Sequence, residues 1–169
     1  MLEAGLNRKD GMLSRIGLWL TLAWCGSVIM AFEVLGARLL MPGFGSGIDL
    51  WAWVMGATLG ALALGYWAGG RMADAWPFHL LLELVLLAGG VCLVAIRFVG
   101  PDLVWRFSSI RSSPSLGAGV CSILALPLAL LGSVQPPVMK LLLAETPGAG
   151  RLVGNALAVG TAGGVAGAL

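Results

Sequence analysis

Five apolar stretches, each long enough to cross a bilayer as a helix, dominate this sequence of 169 residues. A transmembrane helix needs about 20 apolar residues, because it rises about 1.5 Å per residue through a hydrocarbon core about 30 Å thick. The stretches lie at about 16–35, 50–68, 78–96, 116–134 and 152–169. Only 11% of the residues are charged, whereas a soluble domain is roughly a quarter charged. We therefore predict an all-α integral membrane protein, a polytopic bundle of about five transmembrane helices.

Aromatic residues mark the ends of the second stretch. Trp51 and Trp53 stand at its beginning, and Tyr66 and Trp67 stand at its end. Amphipathic rings of this kind concentrate at the two membrane interfaces. Between the third and fourth stretches, residues 101–107 begin with proline and aspartate, which suit a helix start and predict a short interfacial helix.

The later part of the chain is predicted to be less regular. Pro127 is expected to kink the fourth span, and the Gln-Pro-Pro run at 135–137 is expected to break the helix after it. The last stretch is built largely of glycine and alanine and stops at Leu169 without a flanking charge. That ending predicts a domain that continues beyond this residue.

The positive residues predict the orientation of the helices. Lysine and arginine are in excess on the cytoplasmic side of membrane spans. With the N-terminus inside, six positive residues lie on the inner side and four on the outer side, namely Arg8, Lys9, Arg15, Arg71, Lys140 and Arg151 against Arg38, Arg97, Arg106 and Arg111. We therefore predict a cytoplasmic N-terminal segment at 1–15 followed by a helical domain at 16–169 in a bacterial inner membrane.

The composition also limits the kinds of partner that the chain can have. The net charge of +2 is small and dispersed, whereas a nucleic-acid-binding protein carries a basic patch or stripe. No nucleic-acid partner is therefore predicted. The expected partners are the lipid bilayer and other membrane protein subunits.

Small residues recur at four-residue spacing in the second and last stretches. They are Ala57, Ala61, Gly65 and Gly69 in the second, and Gly154, Ala158 and Ala162 in the last. Membrane helices associate through close backbone approach, because lipid is as apolar as the helix surfaces. We predict that these two helices form the tightly packed centre, and we favour packing over a ligand role for these glycines.

Glu33 and Glu83 are the acidic residues inside the predicted spans, and intramembrane ionisable groups are functional candidates. Glu33 lies about 27 Å along its helix from Arg15, near the far interface, and Glu83 lies about 7 to 8 Å into the third span. The two carboxylates are therefore not expected to meet as an acid–base pair. For Glu33, an ion pair with Arg38 that fixes the helix end is favoured over a ligand or ion contact.

A second polar group is predicted at the inner ends of the second and third spans. His79 and Glu83 are four residues apart and share a helix face. The group comprises Arg71, Asp74, His79 and Glu83, with Lys140, Arg151 and Asn155 as further candidates. A structural charge network is favoured here, and a proton relay or a substrate-gating cluster is the alternative.

No catalytic, cofactor or metal site is predicted. His79 is the single histidine, and Cys25, Cys92 and Cys121 show no metal-ligand spacing. The glycine-rich run at 43–47 joins two membrane helices, so it lacks the strand–loop–helix context of a phosphate-binding loop.

Three motifs together resemble a known family of membrane proteins. Residues 32–40 read FEVLGARLL, residues 62–74 read LALGYWAGGRMAD, and residues 150–155 read GRLVGN before GTAGG at 160–164. Their order and spacing resemble the N-terminal membrane domain of the spermidine-synthase-like proteins, described as fused major-facilitator and spermidine synthase proteins. The Gly-Gly-Arg-x-x-Asp ending of the second span is also similar to a cytoplasmic loop motif of major facilitator transporters.

The resemblance implies family-like positions at Glu33, Arg38, Arg71 and Asp74, and it implies no catalysis. In that family aminopropyl transfer occurs in a soluble Rossmann-like domain after the helices, and this sequence contains no such segment. A tyrosine that commonly follows Gly-Arg-Leu in the family is replaced here by Val153.

These observations lead to two functional hypotheses. The first is a non-catalytic membrane domain, either an accessory or structural subunit of a larger membrane assembly or the membrane part of a split synthase-like protein. The alternative is a transporter or half-transporter for a small cationic or organic solute, which the facilitator-like loop and the intramembrane carboxylates motivate. An enzyme with its own active site ranks third.

Overall fold

The computed structural model describes the chain at 2–76, 78–110, 112–144 and 149–169, and its side chains from Arg15 onward except those at 78–81, 113 and 144. The helices are α1 (Leu2–Phe44), α2 (Ile48–Ala75), α3 (Phe78–Ser108), α4 (Ser113–Gly132), α5 (Gln135–Ala144) and α6 (Ala149–Ala168). The regular structure of the described residues is all α-helical. The predicted all-α bundle is therefore confirmed.

Four helical segments are long and apolar enough to cross a membrane. They are Arg15–Phe44, Ile48–Ala75, Leu82–Ser108 and Pro114–Leu143. The 20-residue helix α6 is not in this set, because Arg151, Asn155 and its many glycines lower its hydropathy. The chain is thus an integral membrane protein with a sixth helix of different surface character.

The first helix is longer than the predicted 16–35 span. It continues to Phe44 and ends where Gly45 takes a φ of 81° and donates its amide to the Met41 carbonyl at 2.8 Å. Glycine reaches this left-handed conformation without a Cβ clash. Glu33 therefore lies about 16 Å before the end of α1, because the helix continues for 11 residues beyond it.

Residues 101–107 are not a separate interfacial helix, because they form the last turns of α3 with Pro101 inside the helix. The physical reason is burial beyond the proline. Val104 is only 4% exposed and joins the core, with Leu103 packed against it. This tertiary burial outweighs the local preference of proline for a helix start.

The helix break predicted at 135–137 lies earlier in the chain, at Ser133 and Val134. Helix α4 ends at Gly132, a turn covers Ser133 and Val134, and α5 begins at Gln135. The two prolines therefore occupy the first turn of α5, where a missing N–H leaves no helix hydrogen bond unmade. They begin a helix instead of ending one.

Helix α4 is the centre of the bundle. Its side chains Val120, Ile123, Leu124 and Leu128 are fully buried, together with Pro127. Residues of α1, α2 and α3 surround them in one apolar cluster. A second cluster joins α1, α3, α5 and α6 toward the end of the bundle where α5 lies.

The predicted small-residue face of α2 is confirmed as a buried packing face. Ala61, Gly65 and Gly69 are buried and Ala57 is half-buried. Their partner is α4, because the Gly65 and Gly69 backbones lie against the backbones of Ala129 and Ser133 respectively. Residue numbers increase together along both helices, so the two helices run parallel.

The predicted face of α6 and its predicted partner are wrong. Gly154, Ala158 and Ala162 are exposed, whereas Leu152, Ala156, Gly160 and Gly164 are buried. The helix packs along α1, with Gly163 on the Ala23 backbone and Gly167 on the Ser27 backbone, again in parallel. Small residues cover several faces of α6, so their four-residue spacing did not single out the packed one.

Candidate functional site

A polar pair lies between α1 and α2, within the segments that are long and apolar enough to span a membrane. The Glu33 carboxylate of α1 lies near the Thr58 hydroxyl of α2, but outside the distance and angle of a normal hydrogen bond. Thr58 is only 4% exposed, and Glu33 is half-buried. The Thr58 hydroxyl has no hydrogen-bond partner within the described parts of the chain.

The Thr58 hydroxyl differs from those of Thr21 and Thr161. These two are exposed and donate to the carbonyls of the residues four positions earlier, at 2.9 Å and 2.8 Å respectively. Such back-bonding is the usual way in which a helical threonine satisfies its hydroxyl. Thr58 makes no such bond among the described residues, so its buried hydroxyl is available to a group on α1.

A cavity of about 440 Å³ lies between α1, α2, α5 and α6. Its wall is mostly apolar, with polar groups from Tyr66, Gln135 and Thr161. Small-molecule sites typically occupy about 300 to 1,000 Å³ and combine apolar walls with a few polar groups, so the cavity has the size and character of a ligand site.

The cavity extends toward the Glu33–Thr58 pair. Met30 and Leu62 line it, and Glu33 follows Met30 by one helical turn while Thr58 precedes Leu62 by one turn. Residues three or four apart share a helix face. The carboxylate and the hydroxyl therefore lie on the cavity-facing sides of α1 and α2, just beyond the cavity.

Glu33 does not form the predicted ion pair with Arg38. Arg38 is exposed, while Glu33 lies beside Thr58 of the neighbouring helix. Residues five apart do not face one another on an α-helix. Because α1 continues as a helix to Phe44, no bend brings the two side chains together.

The second predicted polar group is an exposed network at the end of α2. Lys140 of α5 donates to the Asp74 carboxylate at 2.6 Å and to the Ala73 carbonyl at 3.0 Å. The Arg71 guanidinium lies 4.1 Å from the centre of the Trp67 ring, a cation–π contact along one helix. An exposed ion pair contributes only about 0 to 1 kcal/mol, so this network ties α5 to α2 modestly.

The remaining predicted residues do not join this network in the described structure. Glu83 is exposed on α3, and the side chain of His79 lies outside the described residues. Arg151 and Asn155 are exposed near the beginning of α6. The predicted pairing of His79 with Glu83 therefore lies outside the described side chains.

Sequence reasoning missed Thr58, Tyr66 and Gln135 as members of one region. A signal for Thr58 was present, because it precedes Ala61 by three residues and so shares the buried face of α2. No comparable signal linked Gln135 to this region, since its position depends on how α5 packs.

Among the described side chains, no group of three or more histidine, cysteine, aspartate or glutamate residues is arranged to hold a metal ion. The residues that the structure brings together are instead one carboxylate, one hydroxyl and a neighbouring apolar cavity. No protein-family model, curated protein or solved structure matches the chain.

Proposed function

We propose that the chain is a non-catalytic polytopic membrane domain that packs against another membrane protein through α6. The partner is a further subunit of a membrane assembly or, as the family resemblance implies, the remainder of a split synthase-like protein. The observation that supports this proposal is the exposed small-residue face of α6.

The side chains of α6 form three sets. One is buried against α1, and a second lines the cavity with Leu157, Thr161 and Val165. The third presents Gly154, Ala158 and Ala162 outward, beside the exposed amide of Asn155. This third set lacks a partner among the described residues, and the exposed side chains of Leu157 and Val165 flank it.

The other helices expose surfaces suited to lipid. Leu59 of α2, Phe98 of α3 and Leu126 of α4 are all exposed large apolar side chains. A flat face of glycine and alanine with an amide instead suits close contact with another helix, where small residues admit backbone approach and an amide can hydrogen-bond. Because α2 also exposes the small residues Gly56 and Gly60, the exposed Asn155 amide is the feature that favours protein over lipid on α6.

Photo-crosslinking in native membranes tests the contact. A photoreactive residue at position 158 is expected to give an adduct with one defined membrane protein, and Ala162→Leu is expected to abolish it because the added bulk separates the helices. A photoreactive residue at position 63, exposed on α2, is the matched control and is expected to give none.

Two results would contradict this proposal. One is an equal crosslinking pattern at positions 158 and 63. The other is a partner-free, monodisperse monomer after extraction of the same membranes in mild detergent, with native thermal stability.

A second candidate function is transport of a small cationic or organic solute. The cavity between α1, α2, α5 and α6 and the Glu33 carboxylate beyond it favour this candidate. An apolar wall accommodates an organic body, and a carboxylate near one end attracts a positive group.

Uptake into proteoliposomes distinguishes this candidate from the first. If the chain carries such a solute through Glu33, Glu33→Gln should lower uptake by at least about tenfold, the cost of losing one charge-assisted contact. Glu83→Gln makes the same substitution at an exposed position and should leave uptake unchanged. Equal uptake by both variants and the wild-type chain would rule out this role of Glu33.

A further inference from the structure

We propose that Glu33 and Thr58 form an intramembrane site for one monovalent cation, either a proton or Na⁺. The site lies between α1 and α2, and the carboxylate supplies the charge that holds the cation. The site can bind a cation whether or not the chain transports a solute.

The position of Glu33 creates the need for a cation. A charged side chain inside a bilayer is costly unless a counter-charge neutralises it. Arg38 is exposed and does not pair with it, and α4, which packs against α1, carries no acidic or basic side chain.

The other charged groups of the described side chains also lie away from Glu33. Exposed positions hold Asp49, Arg71 and Asp74 on α2, Glu83, Arg97, Asp102 and Arg106 on α3, Lys140 on α5 and Arg151 on α6. Lys140 is paired with Asp74. Arg15 stands at the other end of the span, about 27 Å along α1 from Glu33. None of the described cationic side chains therefore neutralises this carboxylate, and a bound cation would do so.

Thr58 provides the independent observation. Buried polar groups are nearly always hydrogen-bonded, and each exception calls for an explanation. The Thr58 hydroxyl is buried, makes no back-bond of the kind seen at Thr21 and Thr161, and lies near the Glu33 carboxylate of the facing helix. A cation shared with Glu33 would satisfy its oxygen.

The carboxylate and hydroxyl oxygens are donors of the kind that either cation accepts. A protonated Glu33 donates its O–H to the Thr58 oxygen, which leaves the carboxyl group neutral. When Na⁺ enters, the carboxyl O–H bond breaks, the proton passes to water, and the carboxylate and hydroxyl oxygens both face the metal ion, so charge is conserved. Oxygen ligands suit such hard cations. Met30 and Leu62, one helical turn from Glu33 and Thr58 respectively, line the neighbouring cavity.

Carbodiimide labelling of the full chain in detergent tests the site. Dicyclohexylcarbodiimide is apolar and reacts with protonated carboxyl groups, and mass spectrometry of the modified peptides locates the label. Labelling of Glu33 is expected to rise as the pH falls. If Na⁺ occupies the site, NaCl but not choline chloride slows labelling. Thr58→Val is expected to raise the Na⁺ concentration needed for protection by about tenfold, because one oxygen ligand is lost.

Matched variants separate the site from general effects. Thr58→Ser keeps the hydroxyl and is expected to behave as the wild-type chain, and Glu33→Gln removes the label. Thr161→Val removes a hydroxyl that is already bonded to the Leu157 carbonyl and is expected to change nothing. Glu83 is the internal reference, because it is exposed and its labelling should not respond to Na⁺.

The results distinguish a sodium site from a proton site, and they distinguish either one from the absence of a site. Protection by Na⁺ identifies a sodium site. Labelling that ignores Na⁺ but whose pH dependence shifts in Thr58→Val identifies a proton site. The proposal is overturned if Glu33 labelling is the same at every pH and Na⁺ concentration and in Thr58→Val, or if Glu33 stays unlabelled while Glu83 reacts.

Discussion

Replacing Gly163 with valine is expected to detach α6 from α1. An ideal Cβ at this position would lie 2.8 Å from the Ala23 carbonyl carbon and 2.9 Å from its Cα, and these are backbone atoms that cannot rotate away. The helices must therefore move apart, and overpacking of this kind costs about 1 to 3 kcal/mol or more. Each kcal/mol lowers the unfolding midpoint by about 2 to 4 °C in a chain of this size, so thermal unfolding in detergent measures the effect.

The matched control is Gly154→Val in the same helix. A Cβ at Gly154 meets no atom within 4 Å, and the change in helix propensity is the same as at Gly163. The control is expected to leave the unfolding midpoint of the isolated chain close to that of the wild type. Equal destabilisation by the two variants would mean that α6 does not pack on α1 through Gly163.

The presence of the helices follows from the sequence, but their ends do not. Runs of apolar residues must form helices in a bilayer because every backbone polar group needs an internal partner. That requirement ends at the hydrocarbon boundary, whereas α1 continues to Phe44 and α3 continues through Pro101. The continuation of α3 depends on burial of Val104 against the other helices, which no local pattern reports.

The two small-residue faces show where pattern reasoning succeeds and fails. On α2 the predicted small residues do form the buried face, although Gly56 and Gly60 are small and exposed elsewhere on the same helix, beside bulky residues such as Leu59. On α6 glycine and alanine occupy nearly every face. Only the position of α1, against Gly163 and Gly167, decides which face is packed.

Only Glu33 of the candidate site was predicted, and Thr58 was missed for a similar reason. Glu33 stands out in any sequence reading because an acid inside a span is rare. Thr58 does not, since a neutral hydroxyl is ordinary in a membrane helix and usually bonds to its own backbone. Its significance appears only when the structure shows that this bond is missing and that Glu33 lies beside it.

Replacing Gly69 with valine is expected to destabilise the centre of the bundle. An ideal Cβ on Gly69 would lie 2.7 Å from the Ser133 Cα and 2.8 Å from its carbonyl carbon. These are main-chain atoms at the turn between α4 and α5, so no side-chain rotation relieves the clash. Because α4 carries the fully buried core residues, its displacement should cost about 3 kcal/mol or more in the free energy of unfolding.

Gly70 supplies an unusually close control, because it is the next residue of the same helix. A Cβ at Gly70 meets no atom within 4 Å, and valine there changes the same backbone propensity without any clash. A large loss of stability in Gly69→Val with little change in Gly70→Val would therefore isolate the α2–α4 contact itself. Since the clash is with the main chain, Ser133→Gly should not rescue Gly69→Val. A rescue, or tolerance of valine at both positions, would show that α2 and α4 lie further apart than the backbone contact requires.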